Sequence, residues 1–356
     1  MHFCSVVNYE HPKRFTVVTP GLQLANHQSV KEKPYFCNRL LKKNKSAFMK
    51  FNRTVYTGAM AICVAAILWG LDGVVLTPRL YSLDIGLVVF IFHALPFLIM
   101  NIFMYRQYRY LKNFTMGDVL LFFLLSLFGG AVGTLAIVKA LFLVNFKALT
   151  IVVLLQKLQP VFAITLAALL LGEKLKRNFL LWSALAIVAG YFLTFGLHVP
   201  DMETHSRTAL AAAFSLLAAF SFGSSTVFSK KVLRKFSFFT ATFYRYAFTS
   251  FIMLLYVLST GMLKHIPEIN GFQWMIFVII GITTGSGAIF LYYFGLTRIR
   301  AMLATICELC FPVSAIFFDY FVNNRTLTPI QWISAAVLIF AILKLSLEKE
   351  QEAGKS

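Results

Sequence analysis

Glu308, Arg245 and Lys157 are charged side chains set inside long apolar stretches of a 356-residue chain in which only 13% of residues are charged. Moving a charge to the middle of a bilayer costs about 3 kcal/mol on insertion scales, so a charge in that setting is a functional candidate by default. A carboxylate such as Glu308 can hold an ammonium or sulfonium group or take up a coupling proton. Arg245 and Glu308 each stand seven residues into an apolar run, at matching depths of roughly 10 Å for a helix rising about 1.5 Å per residue. They can therefore pair, and the pair is either part of a substrate site or a tie between two helices. Lys157 can bind a substrate carboxylate or pair with Asp72 or Asp319.

Gln156, Gln159, Pro160 and Ala163 recur at i, i+3, i+4 and i+7 and so share one helix face. Glu308, Phe311, Pro312 and Ala315 repeat that pattern. A proline interrupts the backbone ladder and frees a carbonyl. Two polar faces beside prolines are expected to line a cavity; the plainer alternative is that Pro160 and Pro312 only kink their helices. His93 is either a group titrating near neutral pH or a hydrogen-bonded packing histidine. Trp69, Phe222, Tyr292 and Tyr293 offer aromatic faces for a cation or a planar ring, with Trp69 and Tyr292 favoured. Gly129, Gly133, Gly281 and Gly285 form small-residue strips that let helices approach closely, and Gly133 and Gly285 are also candidate hinges. Lys139, Asp72 and Asp319 fall near span ends and are expected to snorkel. The five cysteines have no zinc or disulfide spacing, so no metal is implied, and Cys307 and Cys310 read as packing residues.

The elements that must hold these residues follow from composition. The chain is 59% hydrophobic, with 38 Phe and 33 basic against 14 acidic residues, a formal charge of +19. Soluble domains are roughly 45–50% apolar and about 25% charged, so a polytopic membrane protein remains and nucleic acid is not an expected partner. A span needs about 20 mainly apolar residues. Ten runs qualify: 55–76, 85–104, 117–141, 148–171, 179–197, 208–228, 238–258, 272–294, 301–322 and 329–347. The connections are short and leave no room for a soluble catalytic domain.

Lys and Arg are retained on the cytoplasmic side. With the N-terminus inside, 25 of the 33 basic residues lie on that side and five on the other. Both termini are expected in the cytoplasm of a multi-pass cell inner membrane protein, an organelle membrane being the alternative. Residues 1–54 read as a basic, disordered tail without an apolar signal core, and 348–356 as a second tail.

The chain also repeats itself. Shifted by 152, residues 129–175 align on 281–327 without a gap, with ten of 47 pairs identical, including Pro160/Pro312, Val161/Val313, Ala163/Ala315 and Ile164/Ile316. Each unit, 55–198 and 207–347, holds five spans. An odd number of spans forces the second copy to enter the membrane from the opposite face, so the halves are inverted repeats, the arrangement of many secondary transporters.

Several short motifs carry a resemblance. Trp69-Gly70, then Pro160, Val161, Phe162 and Ala163 followed by Gly172, Glu173, Lys174 and Leu175, then Arg245, then Pro312, Val313, Ser314 and Ala315, occur in an order that resembles the drug/metabolite transporter superfamily and its paired five-helix EamA domains. The likeness spans about residues 55–347. Asn324-Arg325 stands where the second Gly-Glu is usual, and Phe222 where a Trp is usual. The resemblance implies a transporter, not an enzyme, working by alternating access on an amino-acid-like or zwitterionic metabolite such as S-adenosylmethionine. No cofactor is implied beyond proton or exchange coupling, and the assembly is a monomer or homodimer in the lipid bilayer. The competing expectation is a lipid-carrier flippase or an accessory membrane subunit.

Overall fold

The computed structural model describes residues 53–143, 155–156, 158–197, 206–323 and 328–348. Lys157, the Asp319 side chain and the Asn324-Arg325 pair lie outside the described residues. Within them every regular element is helical. Seven helices are long and apolar enough to cross a membrane: α1 (Arg53–Leu80), α2 (Ile85–Asn113), α3 (Met116–Ala140), α6 (Ala209–Val232), α7 (Phe238–Ser259), α8 (Gly271–Arg298) and α9 (Ala301–Val322). Three shorter apolar helices complete the set, α4 (Gln159–Leu171), α5 (Arg177–Leu193) and α10 (Pro329–Leu345). These ten fall on the ten apolar runs, and the chain is an all-α polytopic membrane protein.

The turning points are written in short polar signals. Asp84 starts α2 by accepting from Gly86 N at 2.9 Å. Thr115 with Asp118 and Asn270 with Gln273 form reciprocal capping boxes at the starts of α3 and α8, satisfying N–H groups that a first turn leaves without partners. Gly172 ends α4 at φ +66°, a left-handed conformation that other residues adopt at a cost. The expected boundaries shift at two places: α1 continues past Leu76 through a tight turn at Thr77–Leu80, and α2 continues through Tyr105–Asn113 in the same tighter form.

Alternate connections meet at opposite ends of the bundle. At one end Lys235 pairs with Asp118, Arg234 donates to Leu171 O at 3.2 Å, and Lys230 donates to Leu296 O and Ile299 O. At the other, Gln273 donates to Ser82 Oγ at 3.0 Å and Gln331 to Leu193 O at 3.1 Å. Successive helices therefore run antiparallel. Helix α1 begins beside Arg298 and Ile299 at the first end, whereas α6 begins beside the far end of α3, where Ala211 packs on Ala140. The second five helices are inverted relative to the first.

Packing repeats with that inversion. Gly70 of α1 lies so close to α9 that an added Cβ would sit 2.0 Å from Ser314 Oγ and 2.9 Å from Ala315 N. Its counterpart Gly223 of α6 meets α4 with 3.0 Å to Ala163 N and 3.0 Å to Gln159 O. Ala163 and Ala315 are themselves a repeat pair. The two contacts bring α4 and α9 to the centre. Residues 301–307 are buried without exception, while Leu98, Ile102 and Phe103 on α2 are largely exposed. An apolar exterior around a packed interior suits hydrocarbon as the surrounding solvent.

Candidate substrate site

The proline of each repeat removes an N–H and leaves the carbonyl four residues back without its helical partner. In α9 the Glu308 carbonyl is taken by Phe311 N at 2.9 Å, and the helix is interrupted between Cys307 and Cys310. In the first repeat, Leu158 stands in a turn between helical residues 155–156 and the start of α4. The run expected to be continuous from 301 to 322 is thus two helical pieces, and the turn at Leu158 falls next to the repeat equivalent of that break.

Between the breaks lies a small, open-mouthed cavity of about 50 Å³. Gln156, Gln159 and Pro160 line it from one repeat, and Thr305, Glu308, Leu309, Phe311 and Pro312 from the other. The two polar faces read from the helical spacing do meet, and they meet each other. Glu308 is the only acidic group on the described lining. Its Oε2 accepts from Gln159 Nε2 at 2.7 Å; its Oε1 accepts from Tyr292 OH at 2.7 Å and from Thr226 Oγ1 at 3.4 Å. Thr226 and Tyr292 hydroxyls are also 2.9 Å apart. Three donors from α4, α6 and α8 therefore fix one carboxylate of α9, two of them on Oε1 and one on Oε2.

The aromatic candidates occupy a different place from the one expected. Tyr292 is buried behind Glu308, with the Trp69 ring against it at 5.5 Å and 50°. Neither lines the cavity; the aromatic face on its wall is Phe311. Trp69 and Tyr292 thus support the carboxylate from behind.

Arg245 does not pair with Glu308. Its guanidinium donates to Tyr293 OH at 3.0 Å, to Gly129 O at 3.0 Å and to Ser225 Oγ at 3.5 Å, and lies over the Tyr293 ring at 5.7 Å. Tyr293 and Tyr292, 5.9 Å apart between centroids, stand between the two charges. A buried carbonyl at the wide turn of α3 and a phenol on α8 take the donors that a carboxylate was expected to receive. His93 is turned away as well: its Nδ1 donates to Val89 O at 2.9 Å and its ring packs on Tyr246 at 5.5 Å. Lys139 sits over the Phe214 ring at 5.1 Å and Asp72 accepts from Thr77 at 3.0 Å.

Gly133 and Gly285 end equivalent wide helical turns, at Leu127–Val132 in α3 and Gly281–Gly285 in α8. A Cβ on Gly133 would lie 2.6 Å from Phe128 O, and one on Gly285 2.8 Å from Ile280 O, so the wide turn itself is what excludes a side chain there. Cys63 reaches Cys307 O at 3.9 Å, and among the described residues no group of three His, Cys, Asp or Glu is placed to hold a metal ion.

Thr226 and Thr305 escaped the reading of the sequence. Hydroxyl residues are common in apolar helices, where they bond back to their own turn, and nothing in their spacing set these two apart. Thr305 is 1% exposed, borders the cavity, and its hydroxyl has no hydrogen-bond partner among the described residues.

Residues 56–196 and 209–347 each match the EamA-like transporter family. The chain is 53% identical over 290 residues to the riboflavin transporter ImpX of Fusobacterium nucleatum subsp. nucleatum, covering 81% of this chain and 97% of that protein. It is 27% identical over 284 residues to an uncharacterized transporter of Synechocystis sp., with 76% of each covered. A solved crystal structure of a protein at 17% identity shares the fold, with a TM-score of 0.62 over 83% of this chain and 98% of the other.

Proposed function

Because the chain belongs to the EamA-like transporter family, and is a membrane transporter on that ground, we propose that its solute is riboflavin or a close flavin, carried by alternating access of the two inverted halves about the cavity between α4 and α9. The observation that carries the flavin is the 53% identity to a riboflavin transporter over nearly all of that protein's length. It is preferred to the amino-acid or S-adenosylmethionine expectation, which rested on the family resemblance and on a set of acid, bases, amides and aromatics; the described cavity wall carries the carboxylate and the amides but not Arg245, Trp69 or Tyr292. The described lining, one carboxylate with amides, a hydroxyl and a phenyl ring, also suits a neutral polar heterocycle better than the phosphate headgroup of a lipid carrier.

In this reading Glu308 and Gln156 face the solute, Tyr292 and Trp69 hold the carboxylate, and Arg245 and His93 fix α7 and α2; Lys157, outside the described residues, is a further candidate contact by its sequence position. Pro160 and Pro312 set the two breaks about which the halves move, with Gly133 and Gly285 as hinges. Both termini are placed in the cytoplasm of a cell membrane, since Lys and Arg concentrate on that side. The test is counterflow in proteoliposomes holding the full chain, with riboflavin, a panel of amino acids and S-adenosylmethionine. Saturable riboflavin counterflow is expected. Counterflow for amino acids or S-adenosylmethionine and none for riboflavin would overturn it.

A further inference from the structure

We infer that the cavity reads the imide edge of its solute, the N–H flanked by two carbonyls that a flavin shares with uracil-like rings, with Glu308 Oε2 accepting the N–H and the neighbouring amide and hydroxyl donors receiving the carbonyls. The inference rests on the flavin reading above and names the part of the flavin that is recognised.

Glu308 Oε1 is occupied by Tyr292 and Thr226 behind the site. Oε2 has one partner, the Gln159 amide, and Gln159 and Glu308 share the cavity wall with Gln156 and Thr305. The wall therefore offers one anionic acceptor flanked by amide and hydroxyl groups that can donate. Thr305 supplies an independent sign that something belongs there. Its hydroxyl is buried at 1% exposure and unpartnered, and a buried hydroxyl left without a partner is destabilising. An occupant of the cavity that brings an acceptor to Thr305 removes that cost.

The complement of an acceptor set among donors is a donor set among acceptors. A cyclic imide has that pattern on one rigid, planar edge. A bare ammonium or sulfonium group does not: the ammonium carries donors only, the sulfonium neither, and both leave the amides and Thr305 without acceptors. Phe311 on the same wall offers a ring against which a planar heterocycle packs. A site built to hydrogen-bond a polar edge rejects analogues that lack it far more strongly than an apolar pocket rejects a change of size, because its buried groups are then left unpaired.

The test uses wild-type chain in proteoliposomes and two riboflavin analogues as competitors of labelled riboflavin. One is methylated at the imide nitrogen and the other is altered only on the benzenoid edge. The imide-methylated analogue is expected to compete at least about tenfold less well than riboflavin, the size of a lost hydrogen bond to a charged group, and the benzenoid analogue about as well as riboflavin. Two variants locate the contact. Glu308→Gln is expected to raise the riboflavin KM and to shrink the penalty of imide methylation, and Thr305→Val, of the same shape, to raise KM with little change in maximal rate. Equal competition by the two analogues, or a methylation penalty that Glu308→Gln leaves intact, overturns the inference while leaving flavin transport standing. Absence of any riboflavin transport by wild type overturns the flavin reading itself, and the inference with it.

Discussion

Gln159 of the first repeat donates to Glu308 of the second at 2.7 Å, so the one described bond across the central cavity joins two residues from opposite halves of an inverted duplication. Its loss has a definite cost. Gln159→Leu removes the partner of Oε2 without adding bulk, and a buried carboxylate oxygen left unpaired is expected to destabilise the folded protein by about 1–3 kcal/mol. The measurement is thermal unfolding in detergent, with and without riboflavin. An unchanged midpoint counts against the bond as a tie between the halves.

Arg245 is expected to behave as a structural residue. Arg245→Met withdraws donors from Tyr293 OH and Gly129 O and should lower thermal stability, whereas the riboflavin KM should stay within about twofold, because no uniform binding contact to the solute is lost. A large rise in KM with stability intact would return Arg245 to the substrate site.

Gly70→Ala places a Cβ within 2.0 Å of Ser314 Oγ and 2.9 Å of a backbone nitrogen. Overpacking of this kind costs about 1–3 kcal/mol, and the variant should show reduced folded yield and a lower unfolding midpoint. Gly190→Ala, where an added Cβ meets nothing, is the matched control and is expected to behave as wild type.

Glu173 caps α9 with both carboxylate oxygens, on Ala301 N at 2.9 Å and Met302 N at 3.1 Å. A carboxylate at a helix N-terminus satisfies orphan donors and favours the positive end of the dipole. Glu173→Ala is expected to cost about 1 kcal/mol in stability, read by chemical or thermal unfolding, and to speed exchange of the Ala301 and Met302 amide protons.

Orientation is checked by labelling. Lys264 and Lys231 are exposed and lie in connections expected on opposite sides of the membrane. With an impermeant maleimide, Lys264→Cys should be modified in intact cells and Lys231→Cys only after permeabilisation. The reverse result would invert the assigned topology.

Much of the architecture was legible because hydrocarbon demands one thing of a helix, about 20 apolar residues, and the repeat at 152 residues fixed how the halves relate. The face shared by Gln156, Gln159 and Pro160 was legible for the same reason: helical periodicity places residues without knowledge of the fold. What periodicity does not give is rotation about the helix axis relative to neighbours. Arg245 and Glu308 have equal depth, yet Tyr292 and Tyr293 separate them, and depth alone cannot distinguish facing from screened. Thr226 and Thr305 were hidden for another reason. A hydroxyl in an apolar helix is ordinary until the structure shows where its bonds go.

The inverted duplication has a consequence for how the carrier is tuned. In the alternating-access reading proposed above, exchange of the two halves would turn one access state into the other, and the backbone would contribute similarly to both, as the twin contacts of Gly70 and Gly223 illustrate. The free-energy difference between states would then fall to side chains without twins, among them Glu308 against Gln156, Arg245 against His93 and Glu173 against Arg325. In that reading, one substitution at such a position is expected to bias which side of the membrane the empty carrier faces.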